Sequence, residues 1–195
     1  MLLPIRVQLA CWALAAAAVS GCTGSLVASH HVANHHAASR TAPPPFQPVT
    51  RATAQHCPVT IIRHVVGPPG TSAGDVVPGT SVYGTGKLRV TLAMNGVIVA
   101  GRGYARPDGS ISWKFPWWRL VQGSLTITGR RLDTPAPPVR PDIPAGYGDS
   151  GFQASRVIFP SEGCWQITGT IDRTSLSFVT LVITKAHQAV ISGSH

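Results

Sequence analysis

Three features of the sequence predict an all-β fold. Short stretches of alternating or β-branched apolar residues recur along it. Turn signals separate them every 8–12 residues or so, and outside the N-terminus no helical apolar period is sustained. Composition agrees, since only 12% of the 195 residues are charged while 20 are Gly and 17 are Pro. That is a poor supply of helix formers and a rich supply of turn residues. With 44% hydrophobic residues the chain has material for a core, and its length suits one domain with flanking segments.

The first 21 residues, MLLPIRVQLACWALAAAAVSG, place Arg6 ahead of an apolar stretch over 7–19. This is the layout of a secretory signal, and it is shorter than the ~20 apolar residues a spanning helix needs. Val19-Ser20-Gly21 then lead into Cys22. Small residues before a cysteine at this place resemble the lipobox of bacterial lipoproteins. The resemblance implies cleavage before Cys22, a diacylglyceryl group on its thiol and acylation of the new amino terminus. One chain binds a bilayer only marginally, whereas two or three hold firmly. An ordinary signal followed by an incidental cysteine is the alternative.

Residues 22–56 are rich in Ala, Ser, Thr, His and Pro and include Pro43-Pro44-Pro45. They read as a flexible tether. The domain is expected over 57–188, with 189–195 as a C-terminal tail. Within it, the β-branched stretch 60–66 reads as a strand, broken by Gly67-Pro68-Pro69-Gly70. Leu88, Val90 and Leu92 alternate with polar neighbours as a half-buried strand. Asn95-Gly96 is a hairpin signal, which makes 97–100 its returning partner. Pro107-Asp108-Gly109 is a further turn. Ile111, Trp113 and Phe115 alternate, as do Leu125 and Ile127; Pro116 is expected to break the first of these strands. A Pro-rich loop covers 134–148, and 155–159 is short and apolar. Trp165, Ile167 and Ile171 share a face, and 176–184 is apolar on both faces, as in a central strand. Seven or eight such strands describe an immunoglobulin-like β-sandwich, with a small β-barrel as the alternative.

Four cysteines are present. Cys11 leaves with the leader and Cys22 takes lipid, so Cys57 and Cys164 remain as a pair in an oxidising compartment. A disulfide between them closes a long loop, which the chain-entropy model values at ~4 kcal/mol; two free thiols are the alternative. Cys164 and Trp165 are adjacent and must face opposite sides of a regular strand, which places Cys164 before the strand or at its edge.

Several segments together resemble a family of uncharacterised bacterial lipoproteins and secreted proteins of predicted immunoglobulin-like fold. They are Lys114-Phe115-Pro116-Trp117-Trp118-Arg119, the run 125–133 (LTITGRRLD), Ala136-Pro137-Pro138, Gly146-Tyr147-Gly148 with Gly151-Phe152-Gln153, Phe159-Pro160 with the run 163–169 (GCWQITG), and Leu176-Ser177-Phe178-Val179. The resemblance runs from Cys57 to about Lys185. It implies an extracytoplasmic location and no activity. Gln166 departs from it, since an acidic residue is expected there.

The formal charge of +9 invites an anionic partner. Outside the cytoplasm the available anions are lipid headgroups and envelope polymers rather than nucleic acid. The cations are scattered, with only Arg130-Arg131 adjacent. Thr53-Ala54-Gln55-His56-Cys57 and Gly148-Asp149-Ser150-Gly151 echo the histidine and nucleophile motifs of trypsin-like hydrolases, with His56 as base and Ser150 as nucleophile. Against this, Phe152-Gln153 follow the shared glycine, and the chain between the motifs is short for a two-barrel protease. His30, His31, His35 and His36 are weak candidates for Zn²⁺, Cu²⁺ or Ni²⁺, with no acidic or thiol ligand to complete a shell. Trp117, Trp118 and Arg119 offer a ligand surface, with rings to stack on sugars and a guanidinium for an anion, against the simpler reading as core. The acidic residues fall in turn-like contexts. The expectation is therefore a lipid-anchored, extracytoplasmic, non-catalytic binding or interaction module without a cofactor. Its partners are the membrane through its lipid and an envelope polymer or protein.

Overall fold

A computed structural model describes residues 49–71 and 76–192. Among them helix α1 (Arg51–His56) precedes β1 (Thr80–Gly84), β2 (Leu88–Ala93), β3 (Val97–Ala100), β4 (Ile111–Arg119) and β5 (Thr126–Arg131). There follow β6 (Arg140–Asp142), β7 (Gly151–Phe159), β8 (Gly163–Ile171), β9 (Thr174–Thr184) and α2 (Lys185–Ser192). Two sheets form, ordered β1-β2-β4-β7-β6 and β3-β9-β8-β5. They are open layers rather than a closed barrel, and the fold is an all-β, immunoglobulin-like sandwich. Every pairing is antiparallel except β3 with β9.

Alternation builds the core. Leu88, Val90 and Leu92 from β2, Phe115 and Trp117 from β4, and Val157 and Phe159 from β7 point inward. They meet Trp165, Ile167 and Ile171 of β8 and Leu176, Phe178 and Val182 of β9. Phe178 lies 5.3 Å from Phe115 and 6.1 Å from Trp117, and Phe159 lies 5.6 Å from Trp165, centroid to centroid. Tilted and edge contacts of this kind add ~0.5–1.5 kcal/mol each beyond area burial. Gly169 belongs to the same layer because a Cβ there would meet the Trp117 ring at 2.5 Å.

The expected central strand over 176–184 is β9, flanked by β3 and β8. Other expectations are corrected. Asn95-Gly96 makes a tight turn, but 97–100 does not return along β2. It crosses to the other sheet as β3 and runs parallel to β9. The partner of β2 is β1, Thr80 to Gly84. Residues 60–66 form no strand but run from β9 to β1 on scattered hydrogen bonds: Thr60 N to Val179 O and Val179 N to Thr60 Oγ1, Ile62 N to Met94 O, Val66 N to Ser81 Oγ and Val82 N to Val66 O. Pro116 does not break β4. It lies opposite Ala154 of β7, and the ladder to β2 stops one residue short of it, at Val90 with Trp117, so its missing N–H interrupts no ladder on that side. The Pro-rich loop contains β6, the tether segment contains α1 and the C-terminal tail overlaps α2.

Candidate functional site

The run Trp117-Trp118-Arg119 divides by strand alternation. Trp117 is fully buried, its Nε1–H donating to Ser155 Oγ at 3.1 Å while Ser155 Oγ donates to Phe115 O. It is core and no part of a ligand surface. Trp118 points outward, half-buried, directly across from Phe152 on β7. Their ring centroids are 5.7 Å apart, and Tyr147 adds a third ring 5.6 Å from Phe152. Phe152 is 45% exposed and Tyr147 36%.

Arg119, expected to meet an anion, is buried instead. Its guanidinium donates to the carbonyls of Gly123 (3.0 Å), Tyr147 (3.0 Å) and Gly148 (2.8 Å), while its buried Nε has no partner. Gln153, also inward, donates to Pro144 O. The two side chains pin the loop between β6 and β7 from beneath. Gly146 and Gly148, at φ +92° and +66°, give the backbone the turn that presents Tyr147 beside Phe152. Sequence reasoning picked out Trp118 but passed over Tyr147 and Phe152. The available signal was an aromatic residue set beside loop glycines.

Strand register extends this face into rows. Arg89, Trp118 and Phe152 form the first, Pro116 and Ala154 the second. Lys114, Arg156 and Asp142 form the third, and Ser112, Ile158 and Arg140 the fourth. Successive rows are roughly 7 Å apart along the strands.

At the far end of the sandwich Cys57 is disulfide-bonded to Cys164. Cys164 is the second residue of β8, and because Trp165 turns inward it turns outward, so the bond ties the α1 segment to the outside of the sheet rather than crossing the core. An open cleft of about 460 Å³ lies there, lined by Thr53, His56, Leu132, Asp133 and the disulfide among others. Burial opposes ionisation of Asp133, but the Arg131 side chain and the Cys164 amide both donate to it, and its pKa falls below the usual carboxylate value. His56 Nδ1–H donates to Ala52 O one turn back, at 2.8 Å. Ser150 immediately precedes β7, whose nine residues span roughly 27 Å before the chain turns toward Cys164. His56 and Ser150 are therefore not brought together.

The chain's single glutamate, Glu162, escaped the sequence reading. It is 1% exposed, accepts from Thr184 N at 2.7 Å and contacts His187 Nδ1 at the start of α2. Cys22 and His30, His31, His35 and His36 lie outside the described residues. Among the described residues no group of three His, Cys, Asp or Glu side chains is placed to hold a metal ion, and no helix is long and apolar enough to cross a membrane. No family model matches the chain, and neither a curated protein nor a solved structure is significantly similar to it.

Proposed function

We propose that this chain is an extracytoplasmic lipoprotein, anchored through Cys22, whose sandwich is a non-catalytic module that binds a glycan on the outer face of its five-stranded sheet. One observation carries the reading: Trp118 and Phe152 on paired strands and Tyr147 on a clamped loop form a row of edge-to-face rings that stays open to solvent. Sugar rings present C–H faces that pack on aromatic faces, and strand-borne groups hold such a platform more precisely than loops do. Arg119 supports the reading as a positioning residue, because it fixes the loop that carries Tyr147. The leader and the Cys22 motif support the compartment.

The test is titration of full-length protein in neutral detergent with soluble envelope polysaccharides. Trp118→Ala combined with Phe152→Ala is expected to weaken binding by about tenfold or more, equivalent to ~1.4 kcal/mol, with little change in unfolding. Undiminished binding by that variant would overturn the aromatic-platform reading. For the anchor, Cys22→Ala is expected to accumulate as unprocessed precursor, and normal maturation would refute lipidation.

A further inference from the structure

We infer that the glycan held on this face is a polyanion, an extended chain with repeating acidic groups, gripped by the aromatic row at one end and by cations farther along the same strands. This rests on the reading of the aromatic row as a sugar platform. The outer face carries Arg89 beside Trp118, Lys114 and Arg156 side by side two rows on, and Arg140 in the row beyond. One carboxylate shares these rows, Asp142, whose Oδ2 is 4.0 Å from Arg156 Nη1 with both side chains largely exposed. At that distance and exposure the pair gives little neutralisation. Asp108 lies near Arg140, but its carboxyl is held low first by the Ser110 hydroxyl and amide and only last by Arg106 and Arg140.

A single small anion would meet only one end of this arrangement. The cationic row stands roughly 14 Å from the aromatic row, beyond the ~10 Å over which exposed charges interact at 0.1 M salt. Pro116 and Ala154 lie between as a low shelf with no charge. A polymer lying along the strands meets both rows: a sugar face on the rings, and a carboxylate or phosphodiester on the guanidinium of Arg156 and the ammonium of Lys114. Arg89 is kept in place by donating from Nε to Thr85 O at 3.0 Å. Other exposed cations, such as Arg63, Lys87 and Arg102, lie apart from any row of rings, and two more are occupied within the fold. Arg131 is taken up by Asp133, and Arg119 by backbone carbonyls.

The experiment uses full-length protein in neutral detergent with hyaluronate and polygalacturonate, each compared with its methyl ester, which keeps the sugars and removes the charge. Vesicles of phosphatidylglycerol form a third arm. The variant carries Lys114→Gln, Arg140→Gln and Arg156→Gln, three exposed positions. Wild type is expected to bind at least one acidic polymer about tenfold or more tightly than its ester, with affinity falling as salt rises through counterion release. The triple variant should lose that preference while keeping its binding to the ester. Equal affinity for acid and ester, with Trp118→Ala still harmful, would overturn the inference and leave the glycan reading standing. Binding of acidic polymers that ignores Trp118 and Phe152 would overturn the glycan reading. Binding to vesicles and to neither polymer would overturn the inference in favour of a membrane surface.

Discussion

On the outside of the four-stranded sheet, Leu181, Ile183, Val97 and Val99 lie beneath Val49, Ala54, Cys57 and Val59, and the disulfide fastens this cover to β8. Beyond the cover the same face is polar, with Thr168 paired to Ser177, Thr170 to Ser175 and Arg130 donating to Gln166 across the strands. The outside of the five-stranded sheet instead leaves Phe152, Tyr147, Lys114 and Arg156 exposed. The contrast teaches that this protein buries apolar groups on an outer face when they form a patch. Rings left in the open, on a face that also carries cations, are thus poorly explained as overflow from the core. Patches of that kind mark interaction sites more often than idle surface.

The sharpest way to break this comparison lies within two adjacent residues. Trp117→Ala should cost ~3–5 kcal/mol, because it empties core volume and takes from the Ser155 hydroxyl one of its two partners. Trp118→Ala should cost under ~1 kcal/mol in stability, since its ring lies on the solvent side. Urea denaturation measures both, and equal costs would mean that Trp118 is structural. The cover on the other sheet should respond next. Replacing Cys57 and Cys164 with Ser opens a closure between residues 107 apart in sequence. A loss of ~2–4 kcal/mol is expected, with hydrogen exchange rising through 49–59 and little change at Trp118 and Phe152. Unchanged protection in 49–59 would show that apolar contact alone holds the cover.

These residues also show how far the sequence could be read. Leu88, Val90 and Leu92 revealed a strand because one wet face forces alternation. Position 95–96 revealed its turn but not its destination. The Asn95 carboxamide accepts from Val97 N and Gly96 takes φ +68°, both local facts. What diverts the chain is distant: Gly96 O accepts from Leu181 N and Thr180 Oγ1, and the space beside Gly96 belongs to Val59. The pairing of Cys57 with Cys164 followed from elimination, whereas its place outside the core depended on which way β8 faces. In the site, Trp118 stood out by its neighbours, but Phe152 and Tyr147 joined it only through the β4–β7 register and the Arg119 clamp, 28 residues upstream of Tyr147. Long-range register of this kind leaves no local periodicity to read.

The smallest expected effect compares two carboxylates, one at each outer face. Asp133 accepts from Arg131 Nε at 2.8 Å, from Arg131 at a second nitrogen at 2.9 Å and from Cys164 N at 3.0 Å, tying the end of β5 to the start of β8 beside the disulfide. Asp142 meets Arg156 only at 4.0 Å in the open. Asp133→Asn should therefore cost about 1 kcal/mol at neutral pH, a figure discounted for partial exposure, while Asp142→Asn should fall within ~0.5 kcal/mol of wild type. Because the folded pKa of Asp133 is depressed, its contribution is present in full above the unfolded carboxylate value of ~3.9 and fades as pH falls through the lower folded value. Thermal melts of wild type and Asp133→Asn should accordingly differ at pH 7 and converge in acid below both values. A gap that persists undiminished there would assign the cost of the substitution to packing rather than to the charge-assisted bonds.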